Sequence, residues 1–188
     1  MSKSSTIDID AFNWVRQGTD HSNTRYCLRG IQFDATQYTL TATNGVALLQ
    51  ADLSPNIGES IASALGNTNA LLLPPSGKIK WECSAIAKIN KDNISIFGNN
   101  FEISTDRFPN TECFFNELST FESREDMIPF IDPYYLSMFF PKRTKNSLPS
   151  CDNPPSIKIR QKTFSVYVET YSLGFRARGF ISGYGKAK

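Results

Sequence analysis

The 188 residues carry 20 Lys and Arg against 18 Asp and Glu, a formal net charge of +2, with 40% hydrophobic and 20% charged residues. This is the balance expected of a soluble globular chain long enough to bury a core, and no apolar run reaches the length a bilayer crossing needs. A surplus of two positive charges is too small to hold nucleic acid by bulk attraction, so any contact with phosphates must come from local clusters of Lys and Arg.

In chain order, residues 6–9 alternate like a strand, and Asp10 is placed to cap a short helix running to Gln17, with Gly18 positioned to end it. Phe12 and Val15 then face the core. Residues 25–33, 38–43 and 46–53 read as three strands, the last two joined by Asn44-Gly45, the strongest short hairpin signal in the chain. Residues 54–69 are rich in Ser, Asn and Gly and read as a connector with a helical turn or two over 59–65. A second meander follows over 70–73, 85–89, 94–97 and 101–104, with turns expected at Lys91-Asp92-Asn93 and Asn99-Asn100.

The acidic run Glu122, Glu125 and Asp126 reads as a solvated linker. Beyond it the pattern returns: 128–131 extended, Asp132-Pro133 capping a helix to Phe140, a loop rich in Pro, Ser and Asn, then strands over 157–160, 163–170 and 173–181. One grammar of short helix and β-meander thus occurs three times, predicting an α+β fold of repeated half-domains. The expected boundaries are a first domain over 1–118, made of half-units at about 6–55 and 68–118, a linker over 119–127, and a third half-unit over 128–188.

Chemistry-bearing motifs are sparse. Four scattered cysteines, Cys27, Cys83, Cys113 and Cys151, and the single His21 match no zinc spacing, so the thiols are expected reduced, with no metal and no cofactor. There is no GxSxG, HExxH or Rossmann fingerprint, which argues against an enzyme. The tail Gly179 to Lys186 approaches a phosphate loop, but its spacing is one residue too long and Ala187 stands where Ser or Thr is needed. Asn93-Ile94-Ser95 is a formal glycosylation sequon, read as a plain turn because Met1-Ser2-Lys3-Ser4-Ser5-Thr6 lacks a signal-peptide core; the expected location is cytoplasmic.

Three stretches carry a family resemblance. Arg25-Tyr26-Cys27-Leu28-Arg29-Gly30-Ile31-Gln32-Phe33, followed by Leu40-Thr41-Ala42-Thr43-Asn44-Gly45-Val46-Ala47-Leu48, resembles the R-Y-x-L-x-G-x-x-F strand and A-T-D-G-H-R-L hairpin of the middle domain of bacterial DNA-polymerase sliding clamps. Asn99 to Asn110, containing Arg107-Phe108-Pro109, resembles that domain's last strand and its R-F-P-D exit. Residues 129–136 are similar, more loosely, to the start of the second half of the clamp's final domain.

The resemblance implies a DNA-clamp (processivity) fold, in which helices line a ring around duplex DNA and hold it by backbone electrostatics without base readout. The candidate DNA contacts on this reading are Arg16, Lys78, Lys80, Lys142, Arg143 and Lys145, each of which is also an ordinary surface charge. It also implies a pocket for short linear peptides of polymerase, clamp-loader or repair partners, carried here by Thr43, Gly45, Leu48, Pro109, Tyr134 and Ile181, of which Leu48, Tyr134 and Ile181 read equally well as core. Asn44, Val46 and Ala47 depart from the family's Asp and His-Arg at the hairpin. Three half-units imply either a homo-oligomer, four chains supplying the twelve half-units of a ring, or a monomeric decoy or adaptor of phage or mobile-element origin that binds replication proteins without encircling DNA.

Overall fold

The computed structural model describes residues 3–22, 26–80, 87–111, 115, 132–139, 157–162, 165–171 and 174–182, and the chain divides into two compact units, Met1–Pro109 and Asn110–Lys188. The expected strand over 6–9 is instead part of a helix, α1 (Lys3–Val15). Asp8, Ala11, Phe12 and Val15 are all buried, at the i, i+3, i+4, i+7 spacing of one helical face. A carboxylate at the first of those inward positions hides that face from a hydrophobicity pattern. Asp8 is tolerated there because both its oxygens are satisfied: the Ser54 N–H donates to Oδ1 at 2.7 Å and the Ser54 hydroxyl to Oδ2 at 2.8 Å.

A 3₁₀ turn, Arg16–Gly18, closes α1. The expected strand over 25–33 splits into a one-turn helix, α2 (Tyr26–Arg29), and a shorter strand, β1 (Ile31–Asp34). The Asp20 N–H donates to the Leu28 carbonyl at 2.7 Å, a bond that draws this segment away from the sheet before β1 begins. Strands β2 (Thr39–Thr43) and β3 (Ala47–Asp52) form the expected hairpin.

The presumed connector is largely a helix, α3 (Pro55–Ala64), with proline in its first turn and Ile57, Gly58, Ile61 and Ala62 buried. Its N-cap residue, Ser54, makes no side-chain cap, since its hydroxyl is committed to Asp8. Then come β4 (Ala70–Leu73), β5 (Ala87–Asn90), β6 (Asn93–Ile96) and β7 (Asn99–Ser104). The β6–β7 turn lies two residues earlier than Asn99-Asn100: Ile96 pairs with Asn99, and Phe97 (φ 54°) and Gly98 (φ 90°) form the two-residue link.

Within the first unit the strand order is β5-β6-β7-β4-β1-β2-β3, every pair antiparallel. The register puts Ile31, Phe33, Leu40, Ala42, Leu49, Ala51, Leu72, Ile94 and Phe101 on one face, and all are fully buried. Helix α1 covers that face: it lies against β2 and β3, and its Phe12 ring meets Phe97 edge-on at 6.2 Å and Phe101 at 5.6 Å between centroids. Helix plus meander therefore occurs twice here, α1 with β1 to β3 and α3 with β4 to β7, and the α+β half-domain expectation holds.

In the second unit Asp132 caps α4 (Pro133–Ser137) as expected, its Oδ1 accepting the Tyr134 N–H at 2.9 Å. Strands β8 (Ile157–Lys162), β9 (Ser165–Thr170) and β10 (Ala177–Ser182) are antiparallel, with β9 central among the three. Val166, Val168, Ala177 and Ile181 share one buried face. On the other, the Arg176 Nε donates to Glu169 Oε1 at 2.7 Å, and the Arg178 guanidinium sits 4.4 Å from the centre of the Phe115 ring. The expected extended run at 128–131 and linker at 119–127 lie outside the described residues.

Burial pushes the Tyr167 phenol up to about 12, helped by the neighbouring Glu169 carboxylate, which also accepts its hydrogen bond, and opposed by Arg178 and Arg176. An unfolded tyrosine ionises near 10, so this contribution to stability is complete below pH 10 and is lost between about pH 10 and 12, where the unfolded chain alone gives up the proton. In an alkaline ultraviolet titration the Tyr167→Phe protein is expected to lack one phenol that ionises near pH 12 in the wild type. A variant curve with the same number of phenols ionising near pH 12 as the wild type would contradict the burial of Tyr167.

Candidate functional site

The β2–β3 hairpin is built by two side chains. The Asn44 Oδ1 accepts the N–H of Val46 at 3.0 Å and of Ala47 at 2.9 Å, while the Thr43 hydroxyl donates to the Ala47 carbonyl at 2.9 Å and accepts the Gly45 N–H at 3.1 Å. Gly45 sits at φ 89°, where a Cβ would meet no atom within 4 Å; the position requires glycine for its backbone alone. Thr43 pairs directly with Leu48, so three of the peptide-site candidates gather on this hairpin. Gly45 is exposed, Thr43 half-buried and Leu48 buried. Pro109 is exposed at the end of the first unit.

The other two candidates belong to the second unit. Tyr134 is 61% exposed on α4, its ring 5.3 Å from that of Tyr135, whereas Ile181 is fully buried opposite Val166. Tyr134 therefore has the accessible aromatic surface a peptide contact needs, and Ile181 has none.

Of the basic candidates, Lys142, Arg143 and Lys145 lie outside the described residues. Arg16 is half-buried in the 3₁₀ turn, and Lys78 and Lys80 are exposed in an irregular stretch, so none of the three described cations sits on an α-helix as a helix-lined ring would have it. The stretch is held by side-chain amides. Asn13 of α1 donates to the Ile79 carbonyl at 2.8 Å and accepts the Ile79 N–H at 2.9 Å; Asn99 of β7 accepts the Lys80 N–H at 3.2 Å and donates to the Lys80 carbonyl at 2.5 Å. Ile79 is 1% exposed between the two lysines, and Arg16 follows Asn13 by three residues.

Solved structures with partial similarity to the chain include two bacterial β clamps. Superposition on the DNA polymerase III subunit beta of Pseudomonas aeruginosa gives a TM-score of 0.38 at 13% identity, covering 99% of this chain and 51% of that one. The Helicobacter pylori beta clamp bound to a DNA ligase peptide gives 0.35 at 15% identity, covering 96% and 49%. The chain spans about half the length of the clamps it matches. No family model matches the sequence, and no curated protein does.

His21, beside this region, is held below the usual imidazole value by partial burial and then by Arg16 and Arg29, with Asp20 opposing; its Nε2 lies 3.2 Å from the Thr19 hydroxyl. A ring so placed is neutral at pH 7 and adds no charge to the basic set. Among the described residues no group of His, Cys, Asp and Glu could hold a metal ion, and no helix is long and apolar enough to cross a membrane.

Asn13 and Asn99 were not singled out by sequence. The signal for Asn13 is its place inside a helix, where asparagine is a poor helix former unless its amide is used elsewhere. Asn99 carries no comparable signal, because Asn-Asn between two strands reads as a turn.

Proposed function

We propose that the chain is a non-enzymatic, sliding-clamp-like protein of DNA replication that holds duplex DNA by backbone charge and docks short linear peptides of polymerase, clamp-loader or repair proteins. The observation that carries this reading is the ordered recurrence of one helix-and-meander unit, with the Ala42-Thr43-Asn44-Gly45 hairpin in its first copy and the Arg107-Phe108-Pro109 exit after its second. Repeated units with sheet edges suit assembly by further copies. Each unit carries a feature that peptide docking uses: the fixed hairpin of the first offers a rigid polar rim, and Tyr134 of the second an exposed aromatic ring.

The deciding experiment combines light scattering over a range of protein concentrations with retention on circular against linearised DNA. A closed assembly, four chains on the proposed count, retained on circles and shed from linear ends, is the expected result. A strict monomer would rule out encirclement and leave the decoy or adaptor role. In parallel, Tyr134→Ala is expected to weaken capture of a clamp-binding peptide about tenfold with the fold intact, a loss of the size an exposed aromatic anchor gives. Unchanged capture would remove Tyr134 from the docking surface.

A further inference from the structure

We infer that Asn13 and Asn99 are positioning residues that present Lys78 and Lys80 as a preset pair of contacts for the backbone phosphates of duplex DNA. This rests on the DNA-holding part of the proposed function. All four backbone polar groups of Ile79 and Lys80 are bonded to side-chain amides, each asparagine closing a reciprocal pair with one residue, as a neighbouring strand would. The arrangement fixes the stretch without placing it in the sheet. The buried Ile79 side chain anchors it, and Lys78 and Lys80 are left exposed on either side.

Among the described residues Lys78, Lys80 and Arg16 pair with no carboxylate. A phosphate backbone carries a negative charge for about every 1.7 Å of duplex axis and rewards clustered cations through counterion release. Fixing the backbone beneath two lysines removes part of the ordering cost that a mobile loop meets on binding, which is why amides that touch no phosphate still act on affinity.

The test is the salt dependence of binding to a small closed-circular duplex of random sequence, followed by fluorescence anisotropy. The double variant Lys78→Gln, Lys80→Gln is expected to lower the slope of log affinity against log salt by about 1.8, two phosphate contacts' worth. Asn13→Ala and Asn99→Ala, which keep every charge, are each expected to lower it by about one contact, about 0.9. If the lysine variant lowers the slope and both asparagine variants leave it unchanged, the inference is overturned while the DNA reading stands. Failure of the wild-type protein to bind overturns both, whereas binding with an unchanged slope in the lysine variant overturns the inference alone.

Asn99 also donates to the Ile96 carbonyl at 3.2 Å in the β6–β7 turn, so loss of fold in Asn99→Ala leaves Asn13→Ala to decide. Hydrogen exchange on the wild-type chain gives a result independent of either variant. The Ile79 and Lys80 amides are expected to exchange as slowly as strand amides, and exchange at the rate of an open loop would overturn the assignment.

Discussion

Gly58→Ala is expected to destabilise the first unit by about 2 kcal/mol, although alanine is the better helix former by about 1 kcal/mol in a helix interior. The glycine is the fourth residue of α3, and a Cβ there would overlap the Tyr38 Cβ and ring. Tyr38 cannot step aside cheaply. Its backbone is left-handed, φ 53°, and its carbonyl accepts the Leu53 N–H at 2.9 Å just ahead of α3, so moving the ring disturbs the entry to the helix. Urea unfolding checks this directly: a midpoint that rises on substitution would show that the helix and Tyr38 do not approach as described.

Phe12→Ala is expected to cost more, about 3–5 kcal/mol, the range for emptying a fully buried aromatic site. The ring touches Phe97 in the β6–β7 turn and Phe101 in β7, and the turn residue Phe97 occupies a left-handed backbone that only tight packing sustains. Losing Phe12 therefore leaves a cavity and also releases that turn. Against a total stability of about 5–15 kcal/mol for an ordinary domain, this is enough to populate the unfolded state near body temperature. A loss below about 1 kcal/mol in the same urea measurement would mean that Phe12 is not at the centre of the core.

The strands were the legible part of the sequence, because Val, Ile, Leu and Phe alternating with polar residues encode a half-buried sheet at short range. The hairpin at Asn44-Gly45 was legible for the same reason. Helices α1 and α3 were not, and each failure has a physical source. In α1 the inward position at Asp8 is filled by a carboxylate whose partner, Ser54, lies 46 residues away. In α3 the Ser, Asn and Gly that suggest a connector are allowed by the close approach to Tyr38 and by the bond from Ser54 to Asp8. The turn at Phe97-Gly98 was misplaced because a phenylalanine in a left-handed conformation is held there by the core and not by its own preference. The candidate site divides along the same line. Gly45 and Asp132 announce their local geometry, whereas the amides around Ile79 are visible only once α1 and β7 lie on either side of it.

Helix α1 makes three long-range attachments along one side: Asp8 to Ser54 at the head of α3, Phe12 to Phe97 and Phe101, and Asn13 to Ile79. Every one of them ends in or just before the second copy of the repeat. The two copies are thus interchangeable in architecture but not in thermodynamics, since the first lends its helix to the second. A fragment cut between them would expose the Asp8 carboxylate, the Phe12 ring and the Asn13 amide together, so the smallest inheritable piece of this protein is the pair.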